Sequence, residues 1–299
     1  MSKLVVIDSH AILHRAFHAL PGLNFRRDGQ MINAVYGYFS MLLRVITDLS
    51  PDYLIACFDS RGPNFRHRKF IGYQANRPKM DDELGSQIDL TRNSIKGVNI
   101  PVLSKSGFEA DDLIGTVVQN KKVDQAIVVT GDKDLMQLVN SRVSLFLLRR
   151  GMSNVELVDN KKVNQILEVD PDQVIDLKAL MGDSSDNYPG VAGVGPKTAV
   201  LLLSQFKTLD GIYENLGKID KESLKKKLID GKEAAYLSRF LATIDLKAPV
   251  KFALSEATWN QEKLLELKSV VKELGFPSLV RRIESSFDRG KTDQQMSLL

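Results

Sequence analysis

Apolar residues fall along this chain in three short unbroken runs, and an aspartate follows each run. The runs cover residues 4–7, 54–58 and 126–129, and the aspartates are Asp8, Asp59 and Asp132. Runs of this length and β-branched content, separated by helical periodicity, predict buried parallel strands. Because such strands place their carboxyl ends at one edge of a sheet, we expect the three aspartates to lie close together.

The remaining pattern completes an α/β fold with a mostly parallel central sheet flanked by helices. We predict helices from Ser9, with Ser9 as N-cap, over 31–49, over 81–96 and from Glu109, and a strand over 143–150. After about residue 170 the periodicity is helical throughout. We therefore predict an α/β core over 1–170, a helical region over 171–287 and a polar tail over 288–299.

Two further acidic clusters, at 109–112 and 183–186, accompany the strand-end aspartates. Together with Asp134 they bring the candidate carboxylates to nine, which cannot share a crevice in the ionised form without cations. All candidate ligands are oxygens, which favours Mg²⁺ or Mn²⁺ over zinc, and two ions of this kind suit phosphodiester hydrolysis. Each cluster taken singly is also typical of a solvated helix start.

Three histidines and one cysteine are the soft-ligand candidates. His10, His14 and His18 are spaced four apart on a predicted helix, where we expect packing or solvent because no fourth soft ligand accompanies them. Cys57 lies inside an apolar run and is expected to be an inert buried thiol. The sequence therefore favours a site built from carboxylates.

Composition and charge fit a protein that binds a polyanion. The 299 residues carry a net charge of +4, which becomes strongly positive once the candidate metal ligands are set aside. No apolar stretch approaches the roughly 20 residues needed to span a membrane, and we expect a cytoplasmic monomer.

A basic segment over 60–80 contains no acid and interleaves cations with aromatic residues. Its cations are Arg61, Arg66, Arg68, Lys69, Arg77 and Lys79, and its aromatic residues are Phe65, Phe70 and Tyr73. Because it follows an acidic strand end, this segment is a candidate clamp for a nucleic-acid substrate. A solvated loop is the alternative.

A glycine-rich stretch over 189–199 begins a predicted helix at Pro196-Lys197-Thr198. A proline separates Gly195 from Lys197, so the pattern of a nucleotide-binding phosphate loop fails. The stretch instead predicts a hairpin whose backbone N–H groups approach a nucleic-acid phosphate, with Gly190, Gly193, Gly195, Lys197 and Thr198 as contacts. A glycine turn between packed helices is the alternative.

Seven motifs give the chain a close resemblance to a known family. They are Val6-Ile7-Asp8; Phe58-Asp59 with Pro63-x-Phe65-Arg66-His67; Tyr73-x-Ala75-x-Arg77; Glu109-Ala110-Asp111-Asp112; Thr130-Gly131-Asp132-Lys133-Asp134; Gly182-Asp183-Ser184-Ser185-Asp186-Asn187; and the hairpin from Pro189 to Ala199. In this order, over about residues 3 to 285, they resemble the 5′-nuclease domain of bacterial DNA polymerase I, in the flap endonuclease superfamily.

The resemblance implies a PIN-like nuclease core, a helical arch over about 61–100, and a helix-hairpin-helix variant that grips duplex DNA. It implies two divalent ions held directly or through water by Asp8, Asp59, Glu109, Asp111, Asp112, Asp132, Asp134, Asp183 and Asp186. It also implies a potassium ion at the hairpin, DNA contacts from Arg66, Lys69, Lys79 and Lys197, and removal of primers and 5′ flaps in replication and repair.

One catalytic position departs from the family pattern. The family has Tyr-Lys-x-x-Arg, whereas this chain has Tyr73, Gln74 and Arg77. A neutral amide donates a hydrogen bond but brings no charge, so we expect metal binding to be intact and catalysis to be slower or to depend more on Arg77. A non-catalytic flap-binding protein and an RNA-cleaving relative are the rival interpretations.

The tail ends in a short peptide that resembles the motif by which bacterial repair proteins bind the sliding clamp. The peptide consists of Gln295, Met296, Ser297, Leu298 and Leu299. We expect Gln295, Met296, Leu298 and Leu299 to contact the clamp, with a frayed terminus as the alternative. The sequence leaves open whether the chain stands alone or is part of a polymerase.

Overall fold

The computed structural model describes residues 1–20 and 29–285, and it contains a six-stranded sheet. The strands are β1 (Lys3–Asp8), β2 (Tyr53–Cys57), β3 (Val102–Leu103), β4 (Gln125–Thr130), β5 (Val143–Arg150) and β6 (Asn154–Val158). Their order across the sheet is β3-β2-β1-β4-β5-β6. All neighbours are parallel except β5 and β6, which are antiparallel. The predicted parallel strands that lead to the three aspartates are confirmed.

Helices cover both faces of the sheet and make up most of the chain after residue 170. They are α1 (Ser9–Ala19), α2 (Asn33–Leu49), α3 (Phe65–Lys69), α4 (Asp82–Gly97), α5 (Ala110–Val117), α6 (Asn160–Leu167), α7 (Val174–Met181), α8 (Pro196–Phe206), α9 (Leu209–Glu214), α10 (Glu222–Asp230), α11 (Lys232–Ala242) and α12 (Gln261–Glu273), with a further helical stretch over 277–285. Short 3-10 helices lie at Asp134–Leu138, Pro171–Gln173, Leu216–Lys218 and Leu254–Ala257. Within the described ranges, no helix has the length and apolar character that a membrane crossing requires.

Alternate residues of the central strands pack into two separate cores. Leu4 and Val6 of β1 belong to the cluster that includes α5 and the helical region, whereas Val5 and Ile7 belong to the cluster that includes α1 and α2. Burial on both faces explains why these strands are apolar without interruption. Cys57 is fully buried in the first cluster, as predicted.

Several local features differ in detail from the predictions. Asp8, not Ser9, caps α1, because its side chain accepts the backbone N–H of Ala11. The helix predicted over 31–49 begins at Asn33. Residues 183–186, within the region of helical periodicity, form a turn closed by a bridge between Asp183 and Tyr188. The edge strand β6 was not predicted, because its five residues are mostly half-exposed and carry little periodic signal.

The predicted arch region contains the short helix α3, a series of turns over 71–76 and the long helix α4. This segment leaves the sheet after Asp59 and returns to it at β3. The polar tail over 288–299, including the predicted clamp-binding peptide, lies outside the described residues.

Candidate functional site

The three strand-end aspartates are fixed by the loops around them. Asp8 ends β1, and Asp59 and Asp132 lie two residues beyond the ends of β2 and β4. The hydroxyl of Thr130 donates to Asp8 Oδ2 at 2.6 Å, which ties β4 to β1. The backbone N–H of Ala110 donates to Asp59 Oδ1 at 2.7 Å, which ties the end of β2 to the start of α5.

The acidic start of α5 lies among the same aspartates. Burial raises the pKa of Asp8 to about 7 and that of Glu109 to about 7. Burial also raises the pKa of Asp111 well above its usual range, and the charges of Asp132 and Asp8 raise it further. Carboxylates from three strand ends and one helix therefore form one interacting group in which negative charge is poorly compensated.

The turn over 183–186 brings two more carboxylates to this group. Asp183 Oδ1 accepts the backbone N–H of Ser185 at 2.7 Å. Burial opposes the Asp183 charge, but the ammonium of Lys178 and the hydroxyl of Ser185 outweigh it and lower the pKa to about 2. Asp186 contacts Tyr73, Gln74 and Arg77 of the basic segment.

Lys178 bridges two of the predicted ligands. Its Nζ lies 2.6 Å from Asp134 Oδ1 and also contacts Asp183 Oδ2. Burial works against the Lys178 charge, but both carboxylates raise its pKa above the ordinary range. Burial and the charge of Asp132 still raise the pKa of Asp134 to about 6, so one ammonium does not neutralise this group.

Asp112 and Arg66 do not have the predicted roles of metal ligand and DNA contact. The Arg66 guanidinium donates to both carboxylate oxygens of Asp112, at 2.8 and 2.9 Å, and both side chains are buried. Arg66 also donates to Glu109 Oε2 at 2.8 Å and to the backbone oxygens of Leu241 and Thr243. Because all these donors are occupied and shielded from solvent, Arg66 is a core cation and Asp112 is its partner.

Tyr73 and Gln74 connect Glu109 with Asp186. The buried hydroxyl of Tyr73 lies 3.3 Å from both Glu109 oxygens and 3.4 Å from Asp186 Oδ2. The Gln74 amide donates to Glu109 Oε1 at 3.1 Å and to Asp186 Oδ1 at 3.2 Å. Gln74 has a φ of 56°, an unusual conformation for a residue other than glycine. Its backbone N–H donates to the carbonyl of Asp186 at 2.9 Å, which fixes the side chain at this position.

Arg77 is an accessible cation next to Glu109 and Asp186. Its Nη2 lies 2.5 Å from Asp186 Oδ1, and its side chain is 54% exposed. Asp59, Gln74, Arg77 and Glu109 line one crevice together with His10 and Arg92. An anion that enters this crevice would meet both carboxylates and cations.

The cluster has the donor chemistry of a hard-cation site. Among the described residues, no three His, Cys, Asp or Glu side chains form a group arranged to hold a metal ion. Asp8 and Asp111 have raised pKa values and no ion pair among the described residues. Glu109 and Asp134 keep raised pKa values although Arg66 and Lys178 pair with them. The group as a whole therefore has a deficit of positive charge. An oxygen-only set with this deficit fits Mg²⁺ or Mn²⁺.

The other predicted DNA contacts lie in different environments. Lys69 is exposed, and its ammonium lies 5.6 Å from the centre of the Phe240 ring. The Lys79 side chain is 89% exposed. Lys197 is exposed in the first turn of α8, and Thr198 beside it is half-buried. These side chains remain candidates for contact with DNA.

One hairpin glycine has a packing role instead. Gly190 is buried, and its N–H donates to Ser238 Oγ at 3.0 Å, so it cannot also donate to a phosphate. A Cβ on Gly190 would lie 2.2 Å from the backbone nitrogen of Gly182. Gly193 has a φ of 76°, and its carbonyl accepts from Lys227 at 3.2 Å. Gly195 is exposed and is the N-cap residue directly before α8, so it remains available to a phosphate.

Two residues of the site were missed by sequence analysis. Lys178 is the one charged residue between Leu177 and Met181 of an apolar helical stretch, and that isolation is the signal that points to it. His10 was expected to face packing or solvent, but its Nδ1 accepts the backbone N–H of Asp59 at 3.1 Å. Nδ1 therefore acts as an acceptor, and burial lowers the His10 pKa.

Two family models cover most of the chain. Residues 3–168 match the family described as 5′-3′ exonuclease, N-terminal resolvase-like domain, and residues 169–264 match 5′-3′ exonuclease, C-terminal SAM fold. The chain belongs to the 5′-3′ exonuclease family. Membership in this nuclease family confirms the resemblance drawn from the motifs.

Sequence relatives of this exonuclease-family chain are bacterial DNA polymerases. The chain is 37% identical over 285 residues to DNA polymerase I of Bacillus caldotenax, covering 95% of this chain and 32% of the relative. It is 35% identical over 296 residues to DNA polymerase I of Bacillus subtilis (strain 168), covering 98% and 34%. The chain thus spans about a third of the length of these relatives.

Solved structures share the fold of this exonuclease-family chain. The T5 D15 protein, co-crystallised with metal ions, has a TM-score of 0.69 at 18% identity and covers 94% of this chain and 99% of its own. The catalytic core of Rad2, in complex with a DNA substrate, has a TM-score of 0.61 at 18% identity and covers 95% and 92%. The predicted nuclease fold with its helical C-terminal region is therefore confirmed.

Proposed function

We propose that the chain is a divalent-metal-dependent 5′ nuclease that hydrolyses DNA at 5′ flaps, nicks and primer junctions. The observation that carries this proposal is a group of interacting carboxylates from both halves of the chain. Arg77 of the basic segment pairs with one of them, Asp186. Family membership supports the reaction class, and the T5 and Rad2 structures were solved with metal ions or DNA.

Eight carboxylates are available to hold two Mg²⁺ ions, directly or through water. They are Asp8, Asp59, Glu109, Asp111, Asp132, Asp134, Asp183 and Asp186. When bound, such ions activate water and neutralise the oxygen that leaves in phosphodiester hydrolysis. The protein contributes by fixing the carboxylates, through Thr130 at Asp8 and Ala110 at Asp59.

Tyr73, Gln74 and Arg77 serve the reaction in different ways. Tyr73 is a positioning residue, because its buried hydroxyl holds Glu109 and Asp186. Gln74 provides a neutral donor in the same place. Arg77 is the accessible cation of the three and would contact the phosphate in place of the lysine that the family pattern has.

The hairpin and the start of α8 would hold duplex DNA. Lys197 and the exposed backbone around Gly195 offer a cation and N–H groups to a phosphate. A potassium ion at the hairpin is part of this proposal. Lys227 already donates to one carbonyl of the hairpin, that of Gly193, so a potassium ion would use other carbonyls or displace this ammonium.

Cleavage of labelled substrates tests the function. Asp111→Ala and Asp183→Ala should each abolish cleavage of a 5′-flap substrate in Mg²⁺, while binding of the flap remains measurable. Asp172→Ala, on the 3-10 helix Pro171–Gln173, is a control that should cleave normally. Cleavage by either site variant, or by the wild type in excess chelator, would overturn the metal mechanism.

The same assay separates the rival functions. A flap-binding protein without activity would bind the substrate but not cleave it at any metal concentration. An RNA-cleaving relative would prefer single-stranded RNA to a DNA flap. A nuclease of the proposed kind cleaves the DNA flap near its junction.

The predicted clamp contact through Gln295, Met296, Leu298 and Leu299 is a separate proposal. The peptide has the short apolar and polar pattern that suits docking into a partner's groove. Deletion of residues 295–299 should abolish binding to a cognate sliding clamp and leave flap cleavage without clamp unchanged. Equal clamp binding by both proteins would rule out the contact. We also propose that the chain acts as a monomer, which light scattering would test.

A further inference from the structure

Lys178 is an unusual residue for its helix. The helix α7 buries Leu177, Ala179 and Leu180, and the Lys178 side chain is only 21% exposed. A lysine is seldom buried to this degree unless its ammonium is paired. The two carboxylates that pair with it are Asp134 and Asp183, which the proposed function assigns to metal.

The Lys178 ammonium lies between Asp134 and Asp183, where a bound metal cation would also lie. Asp134 begins the 3-10 helix after β4, whereas Asp183 begins the turn after α7. These carboxylates come from the two regions matched by the separate family models, and the Lys178 ammonium joins them. A divalent ion shared by the same oxygens would occupy nearly the same space.

An ammonium and a divalent ion cannot share this space. At contact distance their repulsion is large even with the screening of a partly exposed site. Resting on the proposed function, we infer that the Lys178 ammonium stands in for one of the two divalent ions and must move toward solvent before that ion binds between Asp134 and Asp183. Lys178 thus lowers the affinity of one ion and stabilises the carboxylates until the ion arrives.

The first test measures metal affinity without substrate. The full chain is titrated with Mn²⁺ by calorimetry as wild type, Lys178→Met, Lys178→Arg and Lys133→Met. We expect Lys178→Met to bind the weaker ion about tenfold more tightly, because one opposing charge is removed. Lys178→Arg should keep the weak affinity. Lys133 is exposed next to Asp134 and pairs with none of the described carboxylates, so Lys133→Met is the matched control.

The second test uses the wild type alone and does not depend on how a variant folds. Lys178 is modified with an amine-reactive reagent, and its labelling is quantified by peptide mass spectrometry with and without Mn²⁺. Labelling of Lys178 should rise several-fold when Mn²⁺ is added, whereas labelling of Lys133 should change little. Unchanged protection of Lys178 at saturating Mn²⁺ would overturn the inference.

The outcomes separate this inference from the proposed function. If the wild type and Lys178→Met both bind two ions, and each ion binds equally tightly to both proteins, the metal site is supported and the role of Lys178 is overturned. Failure of every protein to bind Mn²⁺ would overturn the metal site itself, and the inference with it.

Discussion

The guanidinium of Arg66 clamps both carboxylate oxygens of Asp112, at 2.8 and 2.9 Å, in a place where neither side chain reaches solvent. This pair joins α3, at the base of the arch region, to α5. The further bonds from Arg66 to the carbonyls of Leu241 and Thr243 extend the link to the helical region. The segment that should handle substrate is thus anchored through the core.

Arg66→Met is expected to destabilise the protein without a specific effect on DNA. Loss of the guanidinium leaves Asp112 buried and unpaired, which costs about 3–5 kcal/mol in the free energy of unfolding. Urea unfolding monitored by circular dichroism measures this. Arg61→Met is the control, because the Arg61 side chain is 85% exposed and should contribute little. Normal stability with selective loss of flap binding would restore the DNA-binding role of Arg66.

Gln74→Lys is expected to accelerate cleavage. An ammonium in the place of the amide would lie between Glu109 and Asp186 and add a cation next to the phosphate, an effect worth about 10²-fold. Single-turnover rates at saturating enzyme measure it. Gln74→Met, which has no donor, should be slower than the wild type. A lysine variant that is no faster than the wild type would contradict this prediction and indicate that Arg77 already supplies the positive charge next to the phosphate.

Lys197→Ala is expected to weaken duplex binding and to leave the chemical step intact. Loss of one phosphate contact should reduce the slope of log affinity against log salt by about one unit. Fluorescence anisotropy over a salt series measures the slope. Lys207→Ala, at the other end of α8, is the matched control and should bind normally. An unchanged slope in Lys197→Ala would show that this part of the hairpin does not contact DNA.

The stability of the metal-free protein should fall as pH rises from about 4 to about 7. The folded-state pKa values of Asp8 and Glu109 are raised to about 7. The folded protein therefore binds more protons than the unfolded chain in this window, and each ionisation opposes folding. Melting temperatures in chelator, measured across this range, should decline by several degrees.

Divalent metal should remove this decline, because bound ions compensate the same carboxylates. Stabilisation by Mg²⁺ should accordingly be larger at pH 8 than at pH 5.5. Asp8→Asn should flatten the pH profile in chelator. A melting temperature that is independent of pH in both proteins would contradict the charge deficit at this site.

Local sequence patterns predict the part of the site that lies at the strand ends. The placement of Asp8, Asp59 and Asp132 follows from strand periodicity and from the common edge of parallel strands. Contacts that depend on packing between distant segments cannot be read from such patterns. Nothing near Arg66 in sequence reveals that Leu241 and Thr243 will cover it, and so a buried cation resembles a surface one. Lys178 was missed for the same reason, since one of its two partners, Asp134, lies far away along the chain.

The carboxylate group draws its members from both regions of the chain, and this has a consequence during synthesis. A nascent chain that has emerged only as far as residue 168 would hold the strand-end aspartates but lack Asp183 and Asp186. Domains generally form in order as the chain emerges. Under the proposed function, a half-made molecule would lack two of the carboxylates proposed to hold metal and the helical region proposed to hold duplex DNA, so it would not cut the cell's DNA.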